Sequence, residues 1–416
     1  MLQRRDPVWV IIPLGVALAL SLAGDSTLYA SLPSQPATTG ITVGMLGWIL
    51  GINRAVRIVL NPLAGLLYDP GRRRPLFILG MSLGTLSTTL YALVDGFWPL
   101  FAARIIWGTA WALLLVGGYT IVLDVTTPAN RGRFTGLFQA WYFLGGAFGM
   151  ITGGVLTDQI GYRPTLWVCT ALTGFGTLVA AATLPETNNH ARSLRDLRLR
   201  LPQLQVAQLA GIDRRILAAD YVNLVYYFVG NGVLVSTLGL ALSRWAGPET
   251  RIGPSSVASL TGLLLASRAV LSVIVAPAAG TLSDWRRDRW LVVGLGMLVL
   301  LAGFGVLAGD NRLRALVAGV VLVALGGGIL MPALTALMGD LAPAGRQGVA
   351  MGSFATAADI GSAAGPILAY TLVTSLALKW VYGLCAGLVL TALAVLWGVR
   401  VTEERIPGSA SIEPDG

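Results

Sequence analysis

Windows of about twenty apolar residues, the length a helix needs to cross roughly 30 Å of hydrocarbon, recur along the whole chain. Twelve can be read, near 8 to 31, 43 to 67, 75 to 95, 97 to 123, 133 to 157, 163 to 184, 216 to 242, 255 to 281, 290 to 309, 313 to 339, 347 to 376 and 379 to 400. Inside a bilayer the backbone has no water to bond, so each window must satisfy its own amides as a helix. With 416 residues, 55% of them hydrophobic and only 12% charged, the chain exceeds what one soluble core needs and reads as an all-α integral membrane protein.

The net charge of +9 would suit a nucleic-acid partner, but its distribution argues against one. With a cytoplasmic N-terminus, the inner loops hold 19 basic residues and the outer loops 6. That bias orients both termini inward and makes the basic balance a topology signal. Arg4 and Arg5 before an apolar run and "SLAG" also resemble a secretory leader, but the repeat described next requires this segment as a first span. Cys169 and Cys385 fall inside apolar windows as small hydrophobes, so no disulfide framework is expected.

Shifting the sequence by about 215 residues lays its second half over its first. "NPLAGLLYD" at 61 to 69 meets "APAAGTLSD" at 276 to 284, and Asp124, Gly145, Gly149 and Cys169 meet Asp340, Gly361, Gly365 and Cys385. The expected organisation is therefore two parallel, pseudo-symmetric six-helix bundles, at 1–185 and 214–402, with a cytoplasmic tail at 403–416. Between the bundles, 186–213 is a basic linker whose interleaved leucines suggest an amphipathic helix on the membrane surface. Parallel repeats about an axis along the membrane normal suit rocking around a midplane site.

These residues resemble the major facilitator superfamily (MFS). Gly65, Asp69, Gly71, Arg72 and Arg73 are similar to its signature after the second helix, although Pro70 stands where a basic residue is usual. Gly280, Asp284, Arg286 and Arg287 form a second copy. "RIIWG" in helix four resembles the family's Arg104 and Gly108 pattern, and "GGAFGMITGG" in helix five resembles a glycine signature of antiporters, with Met150 in place of its proline. The resemblance covers residues 6 to 402 and implies twelve transmembrane helices in the MFS fold.

Asp69 ends helix two, where the helix dipole disfavours an anion by a few tenths of a kcal/mol to about 1. It is expected to seek the N-terminus of helix eleven near Gly348, and Asp284 that of helix five near Gly132. Arg72 or Arg73 is expected to reach Asp124, with Arg72 favoured, and Arg286 or Arg287 to reach Asp340. The resemblance implies the same cytoplasmic gate. Gly145, Gly149, Gly153, Gly154, Gly361 and Gly365 read as close helix-packing positions.

Ionisable groups at membrane depth cost several kcal/mol and usually line a cavity. Helical spacing puts Ser21, Asp25 and Tyr29 on one stripe, Arg54, Arg57 and Asn61 on a second, and Asp220, Asn223, Tyr227 and Asn231 on a third. Asp25 is the first candidate for carrying a proton, since burial favours its neutral form and a nearby guanidinium its charged form; the alternative is a static pair with Arg54 or Arg57. Arg104, which matches a position linked to proton transfer in the family's antiporters, and Asp359 are further candidates. Arg54, Arg57 and Arg268 suit an anionic group, and Trp107, Trp111, Gln139, Tyr142, Tyr226 and Tyr227 supply amphipathic walls, with Asn223 and Asn231 beside them.

No catalytic constellation, metal-ligand spacing or phosphate-cradling loop appears, and the single histidine, His190, lies in the linker. The expectation is a non-enzymatic secondary transporter with no cofactor or metal, exchanging protons for exported small amphipathic or organic solutes. Uptake or facilitated diffusion of an organic anion is the alternative, and a non-transporting receptor on the same fold a minor one. The expected partners are a small-molecule substrate, protons and the lipid bilayer, with no nucleic acid and a monomeric state. Short loops and the absence of a targeting peptide suit a bacterial inner membrane.

Overall fold

The computed structural model describes residues 7–68, 72–127, 130–188, 213–246, 257–286, 288–309, 312–341 and 347–404. Among these residues there is no strand. Helix α1 (Val8–Ser31) passes through two short 3-10 turns into α2 (Val43–Tyr68), followed by α3 (Arg73–Leu93), α4 (Phe97–Val125), α5 (Arg131–Ile160) and α6 (Tyr162–Thr183). The seventh span is α7 (Arg214–Tyr226), a π-helical stretch (Tyr227–Leu234) and α8 (Val235–Ala246). Then come α9 (Val257–Arg286), α10 (Arg289–Gly309), α11 (Leu313–Leu341), α12 (Gln347–Val373) and α13 (Leu378–Glu404).

Even the shortest full spans, α3 and α10 at 21 residues, reach about 31 Å at 1.5 Å per residue, enough for a bilayer core. Eleven described helical spans are long and apolar enough to cross a membrane. The twelfth, α12, has the length at 27 residues but is diluted by serines, glycines, alanines and Asp359. The amphipathic linker and the tail expected from sequence lie largely outside the described residues, as does Asp69.

The described chain forms two compact units. The first holds described residues within 1–204, 231–270 and 362–376; the second holds those within 205–230, 271–361 and 377–416. In the first, α1 packs on α5 and α6, α4 packs on α2 and α3, and α3 packs on α6. Small residues allow these approaches. A Cβ at Gly108 of α4 would sit 2.7 Å from the Asn53 carbonyl oxygen of α2, while Gly145, Gly149 and Gly153 of α5 face Ala19, Ala23 with Ser26, and Thr27 of α1. In the second unit α10 packs on α11 and α13, and α13 and α11 both meet α7, where Gly361 faces the Leu224 carbonyl.

Two of the interhelical turns are hairpins with single-residue hinges. Gly96 (φ 86°) precedes α4 and Gly161 (φ 91°) joins α5 to α6, in the left-handed region that glycine enters without steric cost. The Gly161 amide closes α5 on the Thr157 carbonyl at 3.0 Å, and its own carbonyl accepts from Thr165 of α6 at 3.2 Å. Trp9, Trp48, Trp98, Trp167, Trp285, Trp380 and Trp397 are exposed close to the ends of their spans, as expected of indoles anchored at a lipid–water interface.

Candidate functional site

Arg104, in the first third of α4, is completely buried in the first unit. Its Nη1 donates to Asp25 Oδ1 of α1 and lies 3.4 Å from the Tyr91 hydroxyl of α3. Nη2 donates to the Tyr29 hydroxyl at 3.1 Å, and Nε donates to the Ile49 carbonyl of α2 at 2.9 Å. The Tyr29 ring lies under the guanidinium at 5.5 Å, and its hydroxyl passes the chain on to the Leu50 carbonyl at 3.1 Å. Four helices thus converge on one cation, which is the arrangement a buried charge requires: a counter-ion plus acceptors for its remaining donors.

This corrects one expectation from sequence. The pair formed by Asp25 is with Arg104 of α4, rather than with Arg54 or Arg57 of α2. The stripe of Ser21, Asp25 and Tyr29 is real but only partly cavity-facing, because the Ser21 hydroxyl bonds back to the Leu18 carbonyl at 2.7 Å and is wholly buried.

In the same unit Asp25 and Tyr29 border a cavity of about 150 Å³. Arg54 and Arg57 line it from α2, Trp107 and Trp111 from α4, Tyr142 from α5, Asn231 from the π-helical stretch, and Arg268 from α9. All of these were expected at a cavity. Trp107 and Trp111 stack with centroids 6.0 Å apart, and Tyr142 continues the wall 5.4 Å from Trp111. The Arg268 guanidinium donates to the Asn231 side-chain oxygen. A π-helical turn rotates the side chains that follow it relative to a regular helix and is frequent at functional sites; here it carries Asn231.

Other candidates lie elsewhere. Gln139 is exposed and donates to the Tyr119 hydroxyl at 3.1 Å instead of lining the cavity. Asn223, Tyr226, Tyr227 and Asp359 belong to the second unit and are absent from this lining. Asn223 there holds the Phe354 carbonyl at 2.7 Å, and Tyr226 meets Tyr227 edge-on at 5.2 Å. Asn53, Ser26, Phe143 and Met150 line the cavity without having been singled out. For Asn53 a signal existed, since the 215-residue repeat lays it over Arg268.

At the opposite ends of the helices the charged turns are resolved differently from the expected pairing. Arg73, the first residue of α3, donates from Nε to Asp124 Oδ2 at 3.0 Å, whereas Arg72 is exposed. Thr187 also donates to that oxygen at 2.8 Å. Glu186 accepts from the backbone amides of Arg73 and Arg74 at 2.8 and 3.4 Å, capping α3 from the end of α6. In the second unit Arg289, the first residue of α10, takes Asp340 at 2.5 Å, in place of Arg286, which lies over the Trp285 ring at 5.3 Å, or Arg287, which is outside the described residues. Asp288 caps α10 through the Leu291 amide at 3.0 Å and pairs with Arg400 of α13 at 2.8 Å. In both units the start of the third span, the end of the fourth and the end of the sixth are tied by charge. The choice follows helix geometry: an arginine on the first helical turn points at a neighbouring helix end, whereas one in the preceding turn points to solvent. The expected contacts of Asp69, and of the Asp284 side chain, lie outside the described residues.

Eleven apolar helical spans and a twelfth, more polar one among the described residues, with a buried ion pair beside an amphipathic cavity, are the architecture of a multi-pass membrane protein. The comparisons give its family. The description "Major Facilitator Superfamily" matches residues 14–309 and, overlapping them, 231–414, and the chain belongs to that superfamily. It is 25% identical to the class G tetracycline resistance protein of Vibrio anguillarum over 81% of this chain and 82% of that protein. It is 26% identical to the class C tetracycline resistance protein of Escherichia coli over 80% and 81%, and 21% identical to the inner membrane transport protein YajR of Escherichia coli (strain K12) over 85% and 74%. Among solved structures, a bacterial homolog of the human lysosomal transporter Spinster superposes with a TM-score of 0.80 at 16% identity, covering 97% of this chain and 99% of that one. The human organic anion transporter MFSD10 superposes with a TM-score of 0.64 at 17% identity, covering 94% and 100%.

Proposed function

We propose that this protein is a proton-coupled exporter of small organic solutes that works by alternating access in a bacterial inner membrane, as a monomer with both termini cytoplasmic. The observation that carries the reading is Asp25, which faces the cavity on one side and holds the fully buried Arg104 on the other. Protonating Asp25 removes the counter-charge from a guanidinium that has no water to replace it, so the state that buries Arg104 in this way loses several kcal/mol of support. Binding solute beside Asp25 and binding a proton on it then compete for the same wall, which is the linkage an antiporter needs.

Further support comes from the end of the first unit that carries the loops after α1, α3 and α5. There Gly47 and Gly51 of α2 lie against Ala363, Pro366 and Tyr370 of α12, and Gly154 of α5 lies against Ala258 of α9. Under the expected orientation this closely packed end is the outer one, as suits a transporter that loads from the cytoplasm. The tetracycline resistance proteins among the relatives favour export. The two repeats at 1–185 and 214–402 would be the bodies that rock, joined by the basic linker.

The test is transport by purified protein in liposomes. An imposed proton gradient is expected to drive solute uphill; Asp25→Asn is expected to abolish gradient-driven flux while sparing solute exchange. Undiminished coupling in that variant would remove Asp25 from the mechanism.

A further inference from the structure

We propose that the second unit contains a proton-binding site of its own, formed by Asp220 and Asn223 of α7 against α12. The site is separate from Asp25 and stands whether or not Asp25 couples transport. Asp220 and Asn223 are three positions apart, a spacing at which side chains on a helix are neighbours. Both meet the same stretch of α12: the Ser353 hydroxyl lies against the Asp220 carboxyl, and Asn223 Nδ2 donates to the Phe354 carbonyl at 2.7 Å.

Two acceptors in this contact have no donor. Asp220 Oδ1 and Asn223 Oδ1 are both enclosed, and neither receives a hydrogen bond; Asn223 as a whole is 0% exposed. Turning the Asn223 amide round gives no relief, because its oxygen would then face the Phe354 carbonyl, acceptor against acceptor. Ser353 does not supply the missing hydrogen either: a hydroxyl has one to give, and it goes to the Ala350 carbonyl at 2.9 Å. Among the described residues no charged group of α11, α12 or α13 lies against Asp220. Asp340 of α11 is held by Arg289 and Arg400 of α13 by Asp288, Asp359 is more than one turn beyond Ser353 along α12, and Tyr221 bonds Thr391 of α13 at 2.7 Å. Arg214 and Arg215, at the start of α7, are exposed, with Arg215 paired to Asp213. A single proton on Asp220 Oδ1 satisfies both acceptors, since it turns that oxygen into a donor and gives Asn223 Oδ1 its hydrogen. It also removes a charge that nothing in the contact neutralises. Protonated, the pair ties α7 to α12; ionised, it sets a bare carboxylate against an amide oxygen and favours their separation.

The experiment is infrared difference spectroscopy of the purified full-length chain at neutral pH, read at the carbonyl stretch of protonated carboxyl groups, with the melting temperature measured alongside. A band is expected that Asp220→Asn removes and Asp25→Asn leaves in place, since Asp25 is ionised beside Arg104. Asn223→Leu is expected to shift that band to higher frequency, as loss of the accepted hydrogen bond requires. The tie between α7 and α12 is complete while Asp220 holds its proton and is lost as rising pH removes it. The melting temperature of the unaltered chain should therefore fall as the pH is raised from neutral, and Asp220→Asn, whose amide still donates to Asn223, should flatten that fall. Band intensity unchanged by Asp220→Asn overturns the proposal, and so does a band that sodium chloride abolishes at constant pH, which would make this a sodium site. If Asp220→Asn does not fold, an unshifted band in Asn223→Leu overturns it equally. Loss of the band in Asp25→Asn but not in Asp220→Asn removes this site and leaves Asp25 as a proton carrier; loss in Asp220→Asn with gradient-driven flux intact in Asp25→Asn does the reverse.

Discussion

At the end of the first unit that carries the loops after α1, α3 and α5, one charged contact besides the Arg163–Asp95 pair has a calculable effect when it is lost. Asp158, near the end of α5, accepts from the Ser259 amide in the first turn of α9 at 2.8 Å, so one helix caps the next with a full negative charge. A cap of this kind contributes about 1–2 kcal/mol from its hydrogen bond and its placement at the positive end of the helix dipole. If the contact exists only when this end is closed, Asp158→Ala raises the open fraction about 5- to 30-fold. Asp158→Asn, which keeps an acceptor but removes the charge, has a smaller effect. The assay is maleimide labelling of a cysteine introduced by Thr261→Cys, a site that is fully buried in α9. Background is low because Cys169 and Cys385 are both buried. With labelling slow relative to opening, the rate reports the open population. A lowered melting temperature with an unchanged labelling rate would show that Asp158 supports the helix and not the closure, and would refute the reasoning.

Arg73→Ala is expected to destabilise the protein by about 1–2 kcal/mol, since its pair with Asp124 is largely buried, with the arginine side chain 10% exposed; Arg72→Ala should be near neutral, and a double-mutant cycle with Asp124→Ala in detergent unfolding checks both. Arg289→Ala should cost less, because Asp340 is 57% exposed and screened by solvent. Gly108→Ala forces a Cβ to within 2.7 Å of the Asn53 carbonyl oxygen and is expected to cost about 1–3 kcal/mol, whereas Gly305→Ala, which meets open space, should raise the melting temperature slightly. Arg215 donates to Asp213 at the start of α7 and, chiefly through that hydrogen bond, holds its carboxyl below the ordinary 3.8. The unfolded turn therefore binds the proton more tightly, so the cap's contribution is complete above 3.8 and is lost as pH falls through the lower folded value. Amide exchange at Arg215 should accelerate across that interval, and Asp213→Asn should flatten the dependence.

Much of the fold was legible because the bilayer leaves the chain so few choices. A run of apolar residues long enough to span has to be a helix, and the repeat fixes how the helices are ordered. The membership of the cavity was legible where polar side chains recur at helical spacing on one span, as for Asp25 with Tyr29 and Arg54 with Arg57. What a single span cannot display is the rotation of one helix against another. Asp25 sits within reach of Arg104 because α1 and α4 are brought together with α2 and α3 around one cation, and no local pattern distinguishes that partner from Arg54. Gln139 illustrates the converse: it lies three residues before Tyr142, a spacing that places two side chains near one face, yet it is absent from the cavity lining and donates to Tyr119.

The duplication also separates two kinds of charge. Arg73 and Arg289, and likewise Asp124 and Asp340, stand 216 positions apart, and in each unit the arginine that opens the third span holds the aspartate that closes the fourth. A charge pair retained in both copies, at equivalent helix ends, performs what both copies need, which is to tie the bundle. Asp25 and Arg104 have no such echo: the same shift lands on Ala241 and Val320. A buried pair in one copy only contributes nothing to a requirement shared by the two bundles, while its desolvation cost in that copy is large. Such a pair persists where it serves a task that only one half performs, and in this chain it lies beside the cavity. On the transport reading proposed above, the duplicated Arg73–Asp124 and Arg289–Asp340 pairs tie helix ends and the unduplicated Asp25–Arg104 pair carries the coupling. The sharpest consequence is a contrast between two neutralisations. Arg73→Gln should lower thermal stability and leave the stoichiometry of protons to solute unchanged, while Asp25→Asn should change that stoichiometry; a loss of coupling in Arg73→Gln at full stability would overturn the assignment of the repeated pair to scaffold.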